Sequence, residues 1–392
     1  MWCMQFRASG LDRSEGPMTE LSGERFILFT KTEWNEPPRL RHQLARLLAA
    51  SGRQVIMAQR PRRFGIETVG TPVEPGVSLF RHRELIHHRI RVSSPVRALD
   101  AMWTVPSIHA ALRPLSPTPH DVILNFNYEY FFLRDAFPKN PIITVINDDF
   151  VSRALPGCRG SLLRAQRETC RSSDAVLTPS VVIADQLRAF SDPHLFLPWA
   201  SHGQAIQPEG SCRRILLYWG FVDWRVDLDF VHNLAITLQH RMPSLEIWMV
   251  GPKNKSLLKH PLFADMKNVR NKESATLDQL PMAEVIGGLI PFKSGVEGCD
   301  AIVLPNKALQ LLACGLPLLI TGMPHFAKES FVFRLDHGSA ESMIRQAQAQ
   351  FDSLQSSIRE FVKEHTPEAR LRQFLSIVEE ARANRSRALA RD

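Results

Sequence analysis

The residues with the clearest chemical potential lie in the segment Gly288–Gly322, which reads GLIPFKSGVEGCDAIVLPNKALQLLACGLPLLITG. Its pattern predicts a strand, a polar loop, a helix that Asn306 caps, a stop at Gly315 and a second strand. The free N–H groups and the partial positive charge at such a helix start suit an anion, above all a phosphate. The segment therefore indicates a phosphate-binding helix start.

Two polar side chains follow in the first turn of this helix. Lys307 would add a full positive charge to the anion site. Gln310 lies three residues further on, so it shares that face and offers an amide to a ribose hydroxyl or a base edge. The alternative that spacing alone leaves open is an ordinary surface lysine and a solvated glutamine on a helix that only connects two strands.

A pair of carboxylates marks the first half of the chain. The stretch Ile142–Asp149, IITVINDD, predicts an apolar strand that carries Asp148 and Asp149 at its C-terminal tip. A carboxylate there can deprotonate an acceptor hydroxyl, and two together can hold Mg²⁺ or Mn²⁺. The pair can also cap the turn or the helix that follows. The residues alone leave all three interpretations open.

The elements that position these residues alternate between short apolar runs and helical patterns, which is typical of parallel α/β sheets. We predict strands at residues 26–29, 54–58, 121–126, 142–146, 174–178, 195–199, 215–219, 245–250, 285–291 and 316–321. We predict helices at residues 39–50, from Ser180 to about residue 190, at 228–240, from Asn306, and from Thr366-Pro367-Glu368. The polar, aperiodic stretch SHGQAIQPEGSC is predicted to link two halves.

At 392 residues the chain is too long for one ordinary core, and this order of elements predicts two tandem Rossmann-like domains facing each other across a cleft. The predicted divisions are a disordered leader (1–22), an N-terminal domain (23–200), the linker (201–212), a C-terminal domain (213–365) and a C-terminal helix (366–392) packing back toward the N-terminal domain. Neither half contains GxGxxG or GxxxxGK[ST], so no dinucleotide site or P-loop is supported.

The segment PNKALQLLACGLPLLIT resembles the donor-site segment of GT-B glycosyltransferases, whose pattern is P-x-K-hydrophobic-x-E/Q-hydrophobic-L-A-x-G-x-P-hydrophobic. The xanthan glucuronosyltransferase group resembles this chain more closely than the general pattern does, since it also has K-x-x-Q followed by G-L-P. Many GT-B members have Glu where this chain has Gln310. The stretch Leu216–Asp223 (LLYWGFVD) resembles the Gly-containing strand-to-helix turn that opens the family's nucleotide domain, and Leu245–Gly251 (LEIWMVG) resembles the second strand of that domain.

The resemblance implies a glycosyltransferase with a nucleotide-sugar donor, a UDP-sugar being favoured, and a glycan or lipid-linked acceptor in cell-surface or exopolysaccharide biosynthesis. The C-terminal domain would bind the donor, the N-terminal domain the acceptor, and no metal or other cofactor would be required. The implied donor-site residues are Gly220, Arg225, Asn306, Lys307 and Gln310, with Glu297 and Gly298 at the sugar or, alternatively, on a solvent-exposed loop.

The same group has Asp-x-hydrophobic-Ser after the corresponding N-terminal strand, which matches Asp149-Phe150-Val151-Ser152. This implies that Asp149 is the acceptor-side base, or a positioning residue if the reaction retains configuration. Two alternatives remain. One is a catalytically silent GT-B-like nucleotide-binding partner subunit, and the other is a metal-dependent GT-A transferase that uses Asp148 and Asp149.

The distribution of basic and acidic side chains indicates which binding partners to expect. Residues 1–200 hold 25 of the 48 basic side chains and 19 of the 40 acidic ones, so most of the net +8 lies there. No nucleic-acid motif is present, and the arginine-rich stretch Arg81–Trp103 predicts contact with an anionic membrane face or, alternatively, a basic interdomain surface. Six scattered cysteines and the lack of a secretory h-region predict a cytoplasmic protein, with peripheral binding to the inner membrane face as a further expectation.

Overall fold

A computed structural model describes residues 24–36, 39–86, 94–152, 154, 156–200, 212–296, 298–326, 328–336 and 338–391. The chain divides into two compact units. The first runs to Leu177 and includes Leu187–His194 and Gln373–Asp392, and the second comprises Thr178–Gln186 and Leu195–Arg372. The predicted leader and residues 201–211 of the predicted linker lie outside the described residues.

The first unit is built on a seven-stranded sheet. Its strands are β1 (Arg25–Phe29), β2 (Gln54–Ala58), β3 (Val77–Phe80), β4 (Val122–Asn125), β5 (Ile142–Val145), β6 (Ala175–Thr178) and β7 (Pro193–Leu195). They lie in the order β3-β2-β1-β4-β5-β6-β7, and the pairings from β3 to β6 are parallel. Strands β4, β5 and β6 are buried along their whole length, as expected for a parallel sheet that is covered on both faces.

The second unit is built on a six-stranded sheet. Its strands are β8 (Ile215–Trp219), β9 (Glu246–Val250), β10 (Val269–Lys272), β11 (Val285–Pro291), β12 (Leu318–Thr321) and β13 (Val332–Arg334). They lie in the order β10-β9-β8-β11-β12-β13, and every pairing is parallel. The strand order therefore reverses between β8 and β11, as it does between β1 and β4 in the first unit.

The helices connect these strands. They are α1 (Leu40–Ala50), α2 (Ser94–Leu112), α3 (Leu133–Ala136), α4 (Pro156–Arg171), α5 (Val181–Leu187), α6 (Leu228–Arg241), α7 (Pro261–Ala264), α8 (Asn306–Ala313), α9 (Ala340–Ala349), α10 (Phe351–Lys363) and α11 (Pro367–Leu389). Among the described residues, no helix is long and apolar enough to cross a bilayer.

The C-terminal helix α11 starts where the sequence predicts, since the Ala369 N–H donates to the Thr366 hydroxyl at 3.2 Å. Its last part packs in the first unit. Phe374 lies 6.0 Å from Phe26 of β1, measured between ring centroids, and Asn384 donates to the carbonyl of Asp174 at 2.9 Å. The predicted return of this helix to the N-terminal sheet is confirmed.

Most predicted elements agree with the structure, including strands 215–219 and 285–291 to the residue. Ser180 caps α5 as predicted, since its hydroxyl accepts from the Ile183 N–H at 3.3 Å. The strand predicted at residues 195–199 is wrong, because β7 ends at Leu195. Pro198 has no N–H to donate to a neighbouring strand, so strand pairing does not continue through this segment.

Candidate functional site

Helix α8 begins at Asn306, as the sequence predicts, but its N-cap residue differs from the predicted one. The residue at the N-cap position is the extended Pro305, with φ −69° and ψ 143°, and no side chain caps the helix. The predicted capping role of Asn306 is therefore wrong, because Asn306 is already the first helical residue. The consequence favours ligand binding, since no side chain competes with an anion for the N–H groups of the first turn.

The helix ends at the predicted glycine. Gly315 has φ +73°, its N–H donates to Leu312 O at 2.8 Å, and the Leu316 N–H donates to Leu311 O at 3.1 Å. This pair of bonds is a Schellman motif, which needs the left-handed conformation that glycine adopts without strain. Helix α8 packs closely against β11 because Gly288 has no side chain. A Cβ on Gly288 would lie 2.6 Å from the Leu311 side chain.

These contacts bring Lys307 to the point where the strand order of the second unit reverses. The Lys307 ammonium donates to the Tyr218 hydroxyl at 2.8 Å and lies 4.2 Å from the centre of the Tyr218 ring. It is also 5.1 Å from the centre of the Phe292 ring. Tyr218 belongs to β8 and Phe292 directly follows β11, so Lys307 lies at the carboxyl ends of both strands. Open parallel sheets bind ligands at such a reversal.

Gly220 lies next to the same ammonium. It has φ +130°, and a Cβ added there would be 3.4 Å from Lys307 Cε and 3.4 Å from Nζ. A side chain at this position would strain the backbone, and its Cβ would be in van der Waals contact with the lysine. The backbone of Gly251 packs directly against the Gly220 turn. A Cβ on Gly251 would lie 2.4 Å from the Gly220 carbonyl oxygen, so this close packing requires glycine at position 251. The structure thus places together Gly220 and Lys307, which the sequence predicted separately.

The charge on Lys307 is strongly influenced by its surroundings. Burial of its ammonium and, to a smaller extent, the nearby Arg225 lower the pKa of Lys307 to about 7, although Asp223 opposes the shift. Burial also raises the pKa of Tyr218, which therefore stays a neutral hydroxyl. The lysine is held in an environment that favours its neutral form, and a bound anion would restore its charge.

Arg225 lies in the same cluster but is already paired. Its Nη2 and Nε atoms lie 2.5 and 3.0 Å from Asp223 Oδ2. Its guanidinium is 6.0 Å from the centre of the Phe292 ring. Arg225 therefore adds positive potential near Lys307 while Asp223 holds its side chain in place.

Gln310 is nearly buried, with 8% of its surface exposed. Its Nε2 atom donates to the Trp199 carbonyl at 3.1 Å and lies 3.4 Å from Asn306 Oδ1. The amide therefore ties α8 to the chain segment that follows β7. Contact of Gln310 with a nucleoside stays a prediction.

The loop between β11 and α8 contains Gly298, which has φ +83°. The next residue, Cys299, is buried, which raises the pKa of its thiol, and it interacts electrostatically with Arg225 and Asp223. Gly298 is thus adjacent to the cluster along the chain. Glu297, the other predicted sugar contact, lies outside the described residues.

In the first unit, Asp149 lies in the loop that follows β5. Its Oδ1 accepts from the Ser152 N–H at 3.0 Å, and the Ser152 hydroxyl donates to the Asp149 carbonyl at 3.2 Å. Phe150 stacks on Tyr128, with ring centroids 4.8 Å apart. One carboxylate oxygen thus organises the loop at the carboxyl edge of the sheet.

Asp148 has a different environment. Its Oδ2 accepts from the Asn147 amide at 3.1 Å, and it interacts electrostatically with the buried Arg41. Among the described residues, no three His, Cys, Asp or Glu side chains form a group able to hold a metal ion. Burial and the neighbouring Arg39 lower the pKa of Arg41, and the Asp148 carboxylate opposes that shift.

Sequence reasoning missed a second polar group in the first unit, at the reversal between β1 and β4. Lys31 contacts the Glu129 carboxylate and lies 3.6 Å from Glu84. The Tyr130 hydroxyl donates to Glu84, and His82 Nε2 lies 3.2 Å from that hydroxyl. These residues come from three separate loops, so no local motif signals them.

The sequence also missed the partners of Lys307. Tyr218 carried a usable signal, since it is a polar residue inside the apolar strand ILLYW, two residues before Gly220. Asp223 also carried one, because it precedes Arg225 by two residues and can pair with it. Phe292 carried none, because an aromatic residue after a buried strand is common in any α/β protein.

The arginine-rich stretch 81–103 differs from its prediction. Arg81 is buried and pairs with Glu33 at 2.8 Å, and Arg97 is buried at 3.5 Å from Glu168. Both are structural ion pairs, so the prediction that they face a membrane is wrong. Arg89 and Arg91 lie outside the described residues. Among the described residues of this stretch, the exposed side chains are apolar, and Leu99, Met102 and Trp103 are exposed by 52%, 70% and 51%.

Comparison with known proteins identifies solved structures that share this fold. No family model and no curated protein sequence matches the chain. Among solved structures, sucrose-phosphate synthase from Thermosynechococcus elongatus aligns with a TM-score of 0.68 at 14% identity, over 92% of this chain and 99% of that one. The UDP-forming α,α-trehalose-phosphate synthase from Burkholderia xenovorans gives 0.64 at 11%, over 91% and 99%. TarM gives 0.52 at 10%, over 69% and 57%.

Similarity at such low identity establishes the fold and leaves the resemblance to the xanthan glucuronosyltransferase group a prediction. It also excludes the GT-A alternative, because both α/β units align with these structures. The chain therefore has the GT-B fold that its sequence predicts, and it shares that fold with glycosyltransferases.

Proposed function

We propose that this protein is a glycosyltransferase that moves a sugar from a nucleotide-diphosphate donor to a glycan or lipid-linked acceptor in cell-surface or exopolysaccharide biosynthesis. The observation that carries the proposal is the position of Lys307, beside Gly220 at the uncapped start of α8. A lysine with its pKa lowered to about 7 at a strand-order reversal is typical of a binding site.

In this proposal the donor diphosphate contacts the first-turn N–H groups of α8 and the Lys307 ammonium, while the Gly220 turn approaches it from the other side. Arg225 contributes positive potential, Gln310 contacts the nucleoside, and Gly298 is near the sugar. We favour UDP as the nucleotide. Two structures with the same fold support this choice, a synthase described as UDP-forming and a TarM complex that contains UDP.

The acceptor in this proposal binds at the carboxyl edge of the first unit's sheet, where Asp149 is the base for the attacking hydroxyl. The Asp149 carboxylate has one oxygen held by the Ser152 N–H, which leaves the other to accept a proton. If the reaction retains configuration, Asp149 instead positions the acceptor. The Lys31–Glu129 pair lies at the same edge and would contact acceptor hydroxyls.

Donor turnover is the first experiment for this proposal. We expect the protein to hydrolyse a UDP-sugar slowly without acceptor and to discriminate against GDP-sugars. The measurement is release of the free nucleotide from a panel of both donor classes. Binding of UDP without turnover, across the panel and with added polyisoprenyl or oligosaccharide acceptors, would contradict the transferase and favour a silent nucleotide-binding subunit.

We expect turnover to be insensitive to chelators. A diphosphate neutralised by a helix start and a lysine needs no divalent ion. Rates measured with EDTA and with added Mg²⁺ or Mn²⁺ should therefore agree within about twofold. Loss of turnover on chelation, restored by one of these ions, would contradict the proposed mode of diphosphate binding.

Donor affinity should depend on pH through Lys307. The protonated amine attracts the diphosphate, and its pKa in the ligand-free protein is about 7. Affinity for UDP should therefore fall as the pH rises above about 7, since binding must then be coupled to proton uptake. Titrations of the wild type and of Lys307→Ala test this. A wild-type affinity that stays constant between about pH 7 and pH 9 would contradict it.

Membrane binding is proposed through helix α2. Leu99, Met102 and Trp103 project from one outward face, and the adjacent α4 exposes Arg164 and Arg167. Apolar side chains beside cations suit an anionic bilayer surface. We expect co-sedimentation with anionic vesicles, and a loss of about tenfold or more in Met102→Glu/Trp103→Glu because insertion is removed. Lys255→Ala, an exposed change in the second unit, is the control. No binding at low salt would contradict the proposal.

A further inference from the structure

A cavity of about 470 Å³ that is broadly open to solvent lies in the first unit, away from the residues discussed so far. Its lining combines one residue of α3, the end of α4, the turn that precedes β6, and the last turns of α11. The lining residues are Arg134, Arg171, Ser172, Ser173, Asp174, Asn384, Arg385 and Ala388. The volume is in the range of small-ligand sites.

The charges around this cavity do not balance. Three arginines and one aspartate line it. The Asp174 carboxylate is already used, because its Oδ2 accepts from Arg134 at 2.6 Å and from the Ile142 N–H at 2.8 Å. Among the described side chains, no carboxylate pairs with Arg171 or Arg385, so the cavity keeps a net positive charge.

Two further observations point to a missing anion. Burial lowers the pKa of Arg134, its partner Asp174 opposes that shift, and the nearby Arg385 adds a smaller lowering, so the guanidinium groups of Arg134 and Arg385 repel each other across this region. The Nε atom of Arg385 is buried and has no hydrogen-bond acceptor among the described residues. A phosphoryl group would accept hydrogen bonds from Arg385 and Arg171 and would relieve the repulsion.

The cavity lies at the opposite edge of the sheet from Asp149. Asp174 immediately precedes β6, and its backbone N–H donates to Ile142 O, the first residue of β5, at 2.7 Å. The cavity is therefore at the amino ends of these strands, whereas substrates of parallel sheets bind at the carboxyl ends. A ligand here would be an effector of the enzyme.

We infer that this arginine-lined cavity is a second anion site that binds a soluble phosphate-bearing compound. Arg171 and Arg385 contact the phosphoryl oxygens, and Asn384, whose amide donates one N–H to the Asp174 carbonyl, has its second N–H available for a contact at the rim. Because Asn384, Arg385 and Ala388 belong to α11, the bound ligand would hold the end of this helix against α4.

Calorimetric titration with pyrophosphate at constant ionic strength tests this inference. The Lys307→Ala variant serves as the background, because it weakens the proposed donor site. We expect it to retain one binding event, which Arg171→Gln and Arg385→Gln each weaken about tenfold through the loss of a charge-assisted contact. Arg359→Gln, an exposed change on α10, should leave that event unchanged.

Hydrogen exchange distinguishes the site from nonspecific adsorption. In the Lys307→Ala background, pyrophosphate should slow amide exchange at residues 384–389, and it should not do so when Arg385→Gln is added. Arg171 is exposed and Arg171→Gln should fold normally, so it keeps the test valid if Arg385→Gln does not fold. Retention of the full binding event in Arg171→Gln, or no binding at all in Lys307→Ala, would overturn the inference. Neither result would bear on the proposed donor site.

Discussion

Replacing Lys307 with alanine is expected to weaken UDP binding roughly tenfold to a hundredfold, because a charge-assisted contact is typically worth about 1.5–3 kcal/mol. Lys307→Arg should rescue only part of the affinity. The space between Tyr218, Phe292 and Gly220 accommodates a compact ammonium, and a planar guanidinium would crowd the Gly220 backbone. The measurement is calorimetric titration with UDP and GDP on folded variants.

The control for this experiment is Lys255→Ala, which removes an exposed lysine of the second unit and should leave the affinity unchanged. Thermal unfolding adds an independent readout. The unfolded chain keeps the ordinary lysine pKa, so between about pH 7 and pH 10.5 it binds more protons than the folded state, and stability rises with pH. Lys307→Ala should flatten that rise. Unchanged UDP affinity in Lys307→Ala would put the donor site elsewhere.

Gln310 shows where the structure changes an expectation. The family resemblance implies that Gln310→Glu is tolerated, since many members have Glu there. In this chain the Gln310 amide donates to the Trp199 carbonyl, and a carboxylate cannot donate that bond. The substitution would bring two acceptors together in a buried position. Gln310→Glu is therefore expected to lower stability as well as donor affinity. Gln310→Ala should also lower both, and its effect on donor affinity should be smaller than that of Lys307→Ala.

The parts of the fold that could be predicted are those with local signals. Apolar runs, helix caps and glycine stops are read within a few residues, which is why β8, β11, α8 and the start of α11 were correct. The strand predicted at residues 195–199 was wrong because an apolar run does not form a paired strand through Pro198, which has no backbone N–H. Asn306 failed as a cap because residue type alone does not fix which residue first becomes helical.

The candidate site was predictable only in part, for a related reason. Lys307 and Gly220 each belong to a recognisable motif, so both were found. Their contact depends on strand order, since β8 and β11 are neighbours although β9 and β10 separate them along the chain. The Lys31–Glu129 pair likewise depends on the neighbouring positions of β1 and β4. The basic stretch failed because charge composition does not reveal which arginines are buried in ion pairs.

The largest effect on turnover is expected from Asp149→Asn, which should lower the transfer rate by about a hundredfold or more while leaving UDP affinity almost unchanged. The substitution isolates the charge, because the asparagine carbonyl can still accept the Ser152 N–H that Asp149 Oδ1 now accepts. The loop and its Phe150–Tyr128 stack should therefore persist. Single-turnover rates with saturating donor give the measurement, and calorimetric titration with UDP gives the control.

Asp148→Asn is the matched comparison, since Asp148 interacts with Arg41 and should affect stability more than chemistry. Wild-type turnover in Asp149→Asn would contradict the proposed role, and the next residue to test would be Glu129, whose carboxylate contacts Lys31 at the same edge of the sheet.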